Sequence, residues 1–320
     1  MREPIFENKA PTAPLYTDLP YPADGVVRTV QARIIRSGVE QHAPQLLKRE
    51  RIRIVDLGCG TGEHTLGIEK VFPSADIVGV DINPPSLALA EKLADRAGSS
   101  ARFMQADICQ NLPERLNMFA PGLFDLVSGI GVMHHLSDPR VGFRAARQLI
   151  GPEGLFYGFV YSSYGRREDM AIKSLLDELI SNKFAWKDRS EVLKLLRLAN
   201  VNSVSENIKR LKNRFAFGPP ISVWELLHVI FRRNLLIHDS DSYSNPSEHF
   251  YRFSELRAQL LETGWSSVFL AKFGGLPTSP REHTNRTKTL ALLESLPEDT
   301  LYDYFAFSYQ ANGFSFFCQP

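Results

Sequence analysis

Cysteine is scarce in this chain and forms no pattern. The 320 residues contain three, Cys59, Cys109 and Cys318, with no C-x-x-C pair and no even framework, which argues against a disulfide scaffold or structural zinc and for a reducing compartment. An excess of charge is missing too. With 37 basic residues against 36 acidic, no global field draws in a polyanion, and nucleic acid is disfavoured as a partner. No apolar run approaches membrane-spanning length, and the start Met1-Arg2-Glu3-Pro4 leads into polar, proline-rich sequence instead of the apolar stretch of a secretory signal. No internal repeat is visible. These absences point to a cytoplasmic chain with no membrane partner, long enough for one large domain with insertions or two small ones.

What is present centres on Ile54-Val55-Asp56-Leu57-Gly58-Cys59-Gly60-Thr61-Gly62. A short β-branched run ends in three glycines at alternate positions, and a helical pattern starts at once: a buried strand, a tight turn and a helix. Glycine lacks a Cβ, so it tolerates positive φ and lets a ligand approach the main chain closely. The spacing is G-x-G-x-G, not the dinucleotide G-x-G-x-x-G.

Before this turn, Pro4, Pro11, Pro14, Pro20 and Pro22 predict an extended arm over residues 1 to about 23. Tyr16, Leu19 and Tyr21 supply its contacts; anchoring to the core is the favoured reading, a lid over a ligand the alternative. Asp24 is expected to cap a helix carrying Val26, Val27, Val30 and Ile34 at helical spacing. Residues 1–50 thus form an N-terminal arm and helix.

From 51 to 161 strands and helices alternate, with strands at 52–56, 76–81, 101–105, 123–128 and 154–161. That rhythm calls for a parallel sheet with helices on both faces. Asn83-Pro84 reads as a helix start, and Pro152-Glu153-Gly154 as the turn into the fifth strand. The rhythm breaks at 162–250, which reads as a helical cap inserted after strand five. It resumes with a helix at 254–263 and a strand at 266–273, and a last strand at 314–318 closes the chain. The expected fold is α/β: a Rossmann-like, seven-stranded, mostly parallel sheet with its last strand antiparallel. The core at 51–161 is completed by 251–273 and 313–320, with a looser excursion at 274–312 between the last two strands.

In such sheets ligands bind beyond the carboxyl ends of the strands. After strand one come Gly58, Cys59, Gly60 and Gly62. Strand two ends at Asp81-Ile82, where a carboxylate can accept from ribose hydroxyls. Strand three leads to Asp107-Ile108, suited to an adenine amino group with Ile82 and Ile108 on either side of the ring. Strand four leads through Ile130-Gly131 to His134-His135. Each feature has a plain structural explanation, but three strand-end carboxylates in register, Asp56, Asp81 and Asp107, are hard to explain as core.

Together these segments resemble class I methyltransferases that use S-adenosylmethionine (SAM). Val55–Gly62 is similar to their first motif, Gly79–Ile82 to the ribose-binding acidic motif, Gln105–Ile108 to the adenine motif, and Phe124–Val127 with Gly131–Leu136 to the motif at strand four. The stretches Gly131–Pro139 and Tyr16–Pro22 are similar to a bacterial subgroup with a GVxHHLxDP motif and a Pro-Tyr-Pro arm. The resemblance implies SAM as cofactor and S-adenosylhomocysteine (SAH) as product. It implies cofactor contacts at Asp56, Gly58, Cys59, Gly60, Gly62, Asp81, Ile82, Asp107, Ile108, Ile130 and Gly131.

His134 or His135 is the candidate general base, since a neutral imidazole can take a proton from an oxygen or nitrogen nucleophile. Methyl transfer from a sulfonium needs no metal, and alignment supplies much of its acceleration. The acceptor, a small molecule or short peptide, is expected at the insertion, with Tyr16, Tyr21, Tyr161, Tyr164, Arg166, His238 and Tyr243 as candidate contacts. A basic surplus between Lys187 and Arg214 reads as a solvated helix face. Three rivals are carried: a non-catalytic module holding SAM or SAH, an NAD-dependent oxidoreductase, and an RNA methyltransferase. Glycine spacing and Asp107 count against the second, the charge balance against the third.

Overall fold

The computed structural model describes residues 13–179, 245 and 247–320. The chain divides into two compact units, one running to Arg166 and resuming at Ser247–Pro320, the other covering 167–246. The second is described only through the helix Arg167–Leu179 and Asn245, whose carbonyl accepts a hydrogen bond from Lys173 Nζ.

The first unit begins with α1 (Ala13–Asp18) and α2 (Val30–His42). Then come β1 (Arg53–Leu57), α3 (Glu63–Val71), β2 (Asp76–Asp81), α4 (Pro84–Ala97), β3 (Arg102–Gln105), α5 (Leu112–Phe119), β4 (Phe124–Ile130), α6 (Pro139–Leu149) and β5 (Ile150–Tyr161). With Arg167–Leu179 as α7, the chain continues through α8 (Phe253–Glu262), β6 (Ser267–Leu270), α9 (Pro280–His283), α10 (Thr287–Glu294), α11 (Glu298–Ser308) and β7 (Gly313–Gln319).

The seven strands form one sheet in the order β3-β2-β1-β4-β5-β7-β6. The first five pair in parallel, while β7 runs antiparallel to both β5 and β6, as the sequence pattern predicts. β1 is paired on both edges, to β2 and β4, and apolar clusters cover both its faces, which is why it is apolar almost throughout. Alternation assigns its side chains to two cores. Val55 and Leu57 join Val80, Val127 and Phe156 on one face, while Ile54 joins Ile77, Leu126 and residues Ile35 and Val39 of α2 on the other. A rigid, doubly covered β1 aims the Gly58–Gly62 turn at the carboxyl edge.

Several expectations need correction. The arm is not extended throughout: residues 13–18 form α1, and its buried anchor is Leu15, 2 % exposed, whereas Tyr21 is 43 % exposed. No helix starts at Asp24. Gly25 takes φ +67°, Asp24 Oδ1 accepts from the Val26 N–H at 3.0 Å, and the helix begins at Val30; Val26 and Val30 are exposed. β5 starts four residues early, at Ile150 opposite Phe124, and its register shifts before Leu155 pairs with Leu126. Pro152, which has no N–H to donate, lies in that irregular stretch. The 274–312 stretch holds three helices, packed through Leu293, Leu301 and Phe305. No described helix is long and apolar enough to cross a membrane.

Candidate functional site

The turn after β1 is built from three residues at positive φ, Gly58 (69°), Gly60 (53°) and Gly62 (85°), which only glycine adopts cheaply. Its close approaches are made by protein atoms. A Cβ at Gly58 would lie 2.4 Å from Val132, one at Gly60 2.5 Å from the Tyr21 carbonyl oxygen, and one at Gly62 3.0 Å from Ala90.

The amides of the turn are taken as well. Gly58 and Cys59 donate to the Val80 carbonyl at 2.7 and 3.0 Å, Thr61 to Tyr21 O at 3.4 Å and Gly62 to Cys59 O at 3.0 Å. Gly60 donates to Asp81 Oδ2 at 2.9 Å. No amide from 58 to 62 is left to cradle a phosphate, unlike a nucleotide-binding turn. Cys59 is buried, and burial pushes its thiol pKa well up, so it is chemically quiet.

Asp56 faces inward. It is 2 % exposed, and its two oxygens accept from Ser128 Oγ and Thr65 Oγ1, both at 2.6 Å. Desolvation raises its pKa to about 6 against those hydrogen bonds. Through these bonds it ties β1 to β4 and α3.

Asp81 stands at the carboxyl edge, where Oδ1 accepts from the Asn83 N–H at 2.9 Å. Burial raises its pKa, and the backbone donors work the other way. Asp107 Oδ1 accepts from the Cys109 N–H at 2.8 Å, and Ile82 is half-buried at the same edge. Ile108 is 7 % exposed and belongs to the core beside α6. Asn83 begins α4 without capping it, and both atoms of its buried amide lack a hydrogen-bond partner. Gly131, at φ +74°, donates to Phe159 O at 3.1 Å, and a Cβ there would meet open space. Of the expected contact glycines, it alone faces an opening.

His134 and His135 occupy a 3₁₀ turn after β4. The His134 ring is fully buried between aromatic neighbours, 3.9 Å from the Tyr161 ring and 4.1 Å from His135 between centroids. Neither of its nitrogens makes a hydrogen bond of good geometry, although the Phe159 carbonyl, which accepts from Gly131, is close enough to favour the protonated ring. Burial first, then the charges of His135, Arg166 and His249, hold its pKa well below the usual histidine value. His135 Nδ1 is 3.3 Å from Ser247 O, and Tyr16 sits edge-on at 6.3 Å. The Arg166 guanidinium lies over Tyr161 at 3.5 Å from the centroid, and Phe250 stacks on the same ring at 6.3 Å. Tyr16, His134, His135, Tyr161 and Arg166 therefore converge.

Tyr164 does not join them; it packs edge-on against Phe307 at 6.1 Å. Burial, then Asp303, raises its pKa. The Tyr21 ring is exposed, and its contribution is the backbone carbonyl over Gly60. His238 and Tyr243 lie outside the described residues. Sequence reasoning missed Thr61 and Glu63, both buried and bonded to the arm; only the polarity of two positions opening an otherwise apolar helix face hinted at them.

Residues 54–154 match the family model described as a methyltransferase domain. An uncharacterized protein of Synechococcus sp. is 39% identical over 131 residues, 39% of this chain and 28% of that protein. The demethylmenaquinone methyltransferase of Thermus thermophilus is 30% identical over 150 residues, 43% of this chain and 64% of the enzyme. This chain thus spans less than two thirds of either relative. Among solved structures, PKMT2 of Rickettsia typhi in complex with AdoHcy aligns with a TM-score of 0.57 at 16% identity, over 94% of this chain and 55% of that one. At that identity the likeness is one of fold. The segment 54–154 is thus similar to a methyltransferase domain, and the chain has the fold of the Rickettsia protein.

Proposed function

We propose that this chain as a whole is a SAM-dependent methyltransferase that transfers a methyl group to an oxygen or nitrogen of a small-molecule or short-peptide acceptor by direct displacement. The observation that carries the reading is the combination at the carboxyl edge: a glycine turn with every amide engaged and carboxylates after β2 and β3. Such an edge suits a ligand that offers hydroxyl and amine donors and carries no phosphate, which is adenosine in SAM and not a dinucleotide.

In this reading Asp81 accepts from the ribose, Asp107 from the adenine amino group, and the 58–62 turn with Ile130 and Gly131 borders the methionine part. The open front of Gly131 supports that fit. Asn83, with an unpartnered amide beside Asp81, offers the ligand a further donor and acceptor. When bound, SAM supplies an electrophilic methyl carbon on a good leaving group. The residues of the chain align the nucleophile and exclude water. His134 or His135 takes the proton of an acceptor that must lose one; His134 is already neutral at physiological pH because its pKa is depressed.

The likeness of Gly131–Pro139 and Tyr16–Pro22 to one bacterial subgroup, the assignment of residues 162–250 as an acceptor-binding cap, and a cytoplasmic setting belong to the same reading. Relatives named as quinone-pathway methyltransferases, such as the Thermus enzyme, support a small-molecule acceptor.

Calorimetry with SAH tests the cofactor assignment. Asp81→Ala removes hydrogen bonds to a charged group, each worth roughly 1.5–3 kcal/mol, so affinity should fall about tenfold or more; unchanged affinity would remove the ribose role. For the histidines, His134→Asn and His135→Asn are read separately on an acceptor found by SAH release from a broad library. Loss of roughly a hundredfold in kcat with SAH affinity retained marks the base, and full activity in both variants eliminates it.

A further inference from the structure

The arm crosses the glycine turn and is held there by side chains of the turn itself. Leu15 is buried, and Leu19 closes α1 by donating to the Leu15 carbonyl at 2.9 Å. Beyond α1 the Tyr21 carbonyl meets Gly60 and the Thr61 N–H. The Ala23 N–H then donates to Thr61 Oγ1 at 3.1 Å, and the Gly25 N–H to Glu63 Oε1 at 3.1 Å. The Thr61 hydroxyl donates to Glu63 Oε2, so the two side chains act as one unit. Arg28 N–H completes the contact on the Glu63 carbonyl at 2.9 Å.

Thr61 is 2 % and Glu63 1 % exposed. A carboxylate buried to that degree persists only when its acceptors are satisfied, and here two of its donors are an arm amide and the hydroxyl that holds another. Ala23 supplies an independent sign. It sits at φ +52°, a region that is unfavourable for a residue with a Cβ and kept only where the surroundings impose it. Its N–H is the one Thr61 holds.

We propose that Thr61 and Glu63 are positioning residues for the cofactor: they clamp the 21–28 strap across the glycine turn, so that a ligand at this turn leaves only when the clamp opens. The proposal rests on the SAM reading above. Neither residue need touch the cofactor. Both act through the arm, and the closest approach to Gly60 is a backbone carbonyl of that strap.

The test uses the full chain, with SAH as probe. Calorimetry on the wild type comes first, and absence of binding overturns the cofactor reading itself. Given binding, stopped-flow displacement should show SAH leaving at least tenfold faster from Thr61→Val, with Thr61→Ser, which keeps the oxygen, close to wild type. Melting of the ligand-free proteins separates a clamp from a fold defect: the proposal requires Thr61→Val and wild type to melt within a few degrees of each other. Glu63→Gln, which keeps one acceptor, should fall between the two. Hydrogen exchange gives the second readout, because SAH should slow exchange of the Ala23 and Gly25 amides in the wild type. Equal SAH dissociation from Thr61→Val and wild type, or no effect of SAH on those amides, overturns the clamp and leaves the SAM reading standing.

Discussion

At the scale of single residues, Asp56 couples the strand that aims the site to the pH of the medium. Its pKa rises from 3.8 to about 6 on folding because burial outweighs the hydroxyl bonds of Ser128 and Thr65. Between about pH 4 and 6 the native state holds a proton that the unfolded chain has released. Stability therefore falls as pH rises through that window and stays lower above it. A shift of this size corresponds to roughly 3 kcal/mol. His134 acts in the opposite sense: its pKa is depressed on folding, so its contribution is lost as pH falls below the usual histidine value. Because the two windows overlap, the measurement is a difference. Urea unfolding of wild type and Asp56→Asn from pH 4 to 7 should show the wild type losing roughly 3 kcal/mol relative to the variant; a pH-independent gap would refute the linkage. Asp81 and Asp107 were legible in the sequence as strand-end carboxylates. The inward turn of Asp56 was not, since its partner Ser128 is 72 positions away.

Elements were legible where one physical demand dominated. β1, β2 and β4 are covered on both faces, so their apolar runs could be little else. α6 begins with Asp138 capping the Arg140 N–H at 3.0 Å and proline at its first position, a strong local signal. At the entry to α2 the valines at helical spacing predict an earlier start, but Asp24-Gly25 is a turn pair and the fold uses the glycine at positive φ. α2 also depends on close packing that its sequence does not announce. A Cβ at Gly38 would lie 2.1 Å from the ring of Phe317 on β7, a side chain only 3 % exposed and unable to swing away. Gly38→Ala should therefore cost about 1–3 kcal/mol in urea unfolding while the strand-end carboxylates keep their partners. A neutral substitution would mean that α2 shifts along the sheet without penalty.

At the scale of the molecule, the chain leaves the sheet after β5 and returns beside the same point. Ser162 bridges Tyr251 in parallel, Ser163 N–H donates to Tyr251 O at 2.9 Å, and Tyr251 N–H donates to Tyr161 O at 3.0 Å. Just before the bridge, His249 N–H donates to His134 O at 2.8 Å, and the Ser247 hydroxyl to Leu136 O at 3.0 Å. The return is thus stitched to the turn that carries the histidines. These bonds all lie within the first unit, so exchanging 167–246 for a Gly/Ser linker of about ten residues should leave SAH binding within a few-fold of wild type and abolish methyl transfer. Retained transfer would take the acceptor site away from the insertion, and lost SAH binding would make that segment part of the cofactor site.

The sheet, the succession of strands and helices, the turn after β1 and the carboxylates after β2 and β3 are all legible in the residues alone, because each follows from a local period or a fixed offset from a strand end. What closes over the glycine turn is set by folding in three dimensions. At Gly60 a carbonyl from the arm, 39 residues earlier, lies where a Cβ would be, and Thr61 and Glu63 hold that arm down. Contacts between segments so far apart leave no period in a sequence. They arise only when the sheet has brought the two segments to the same edge.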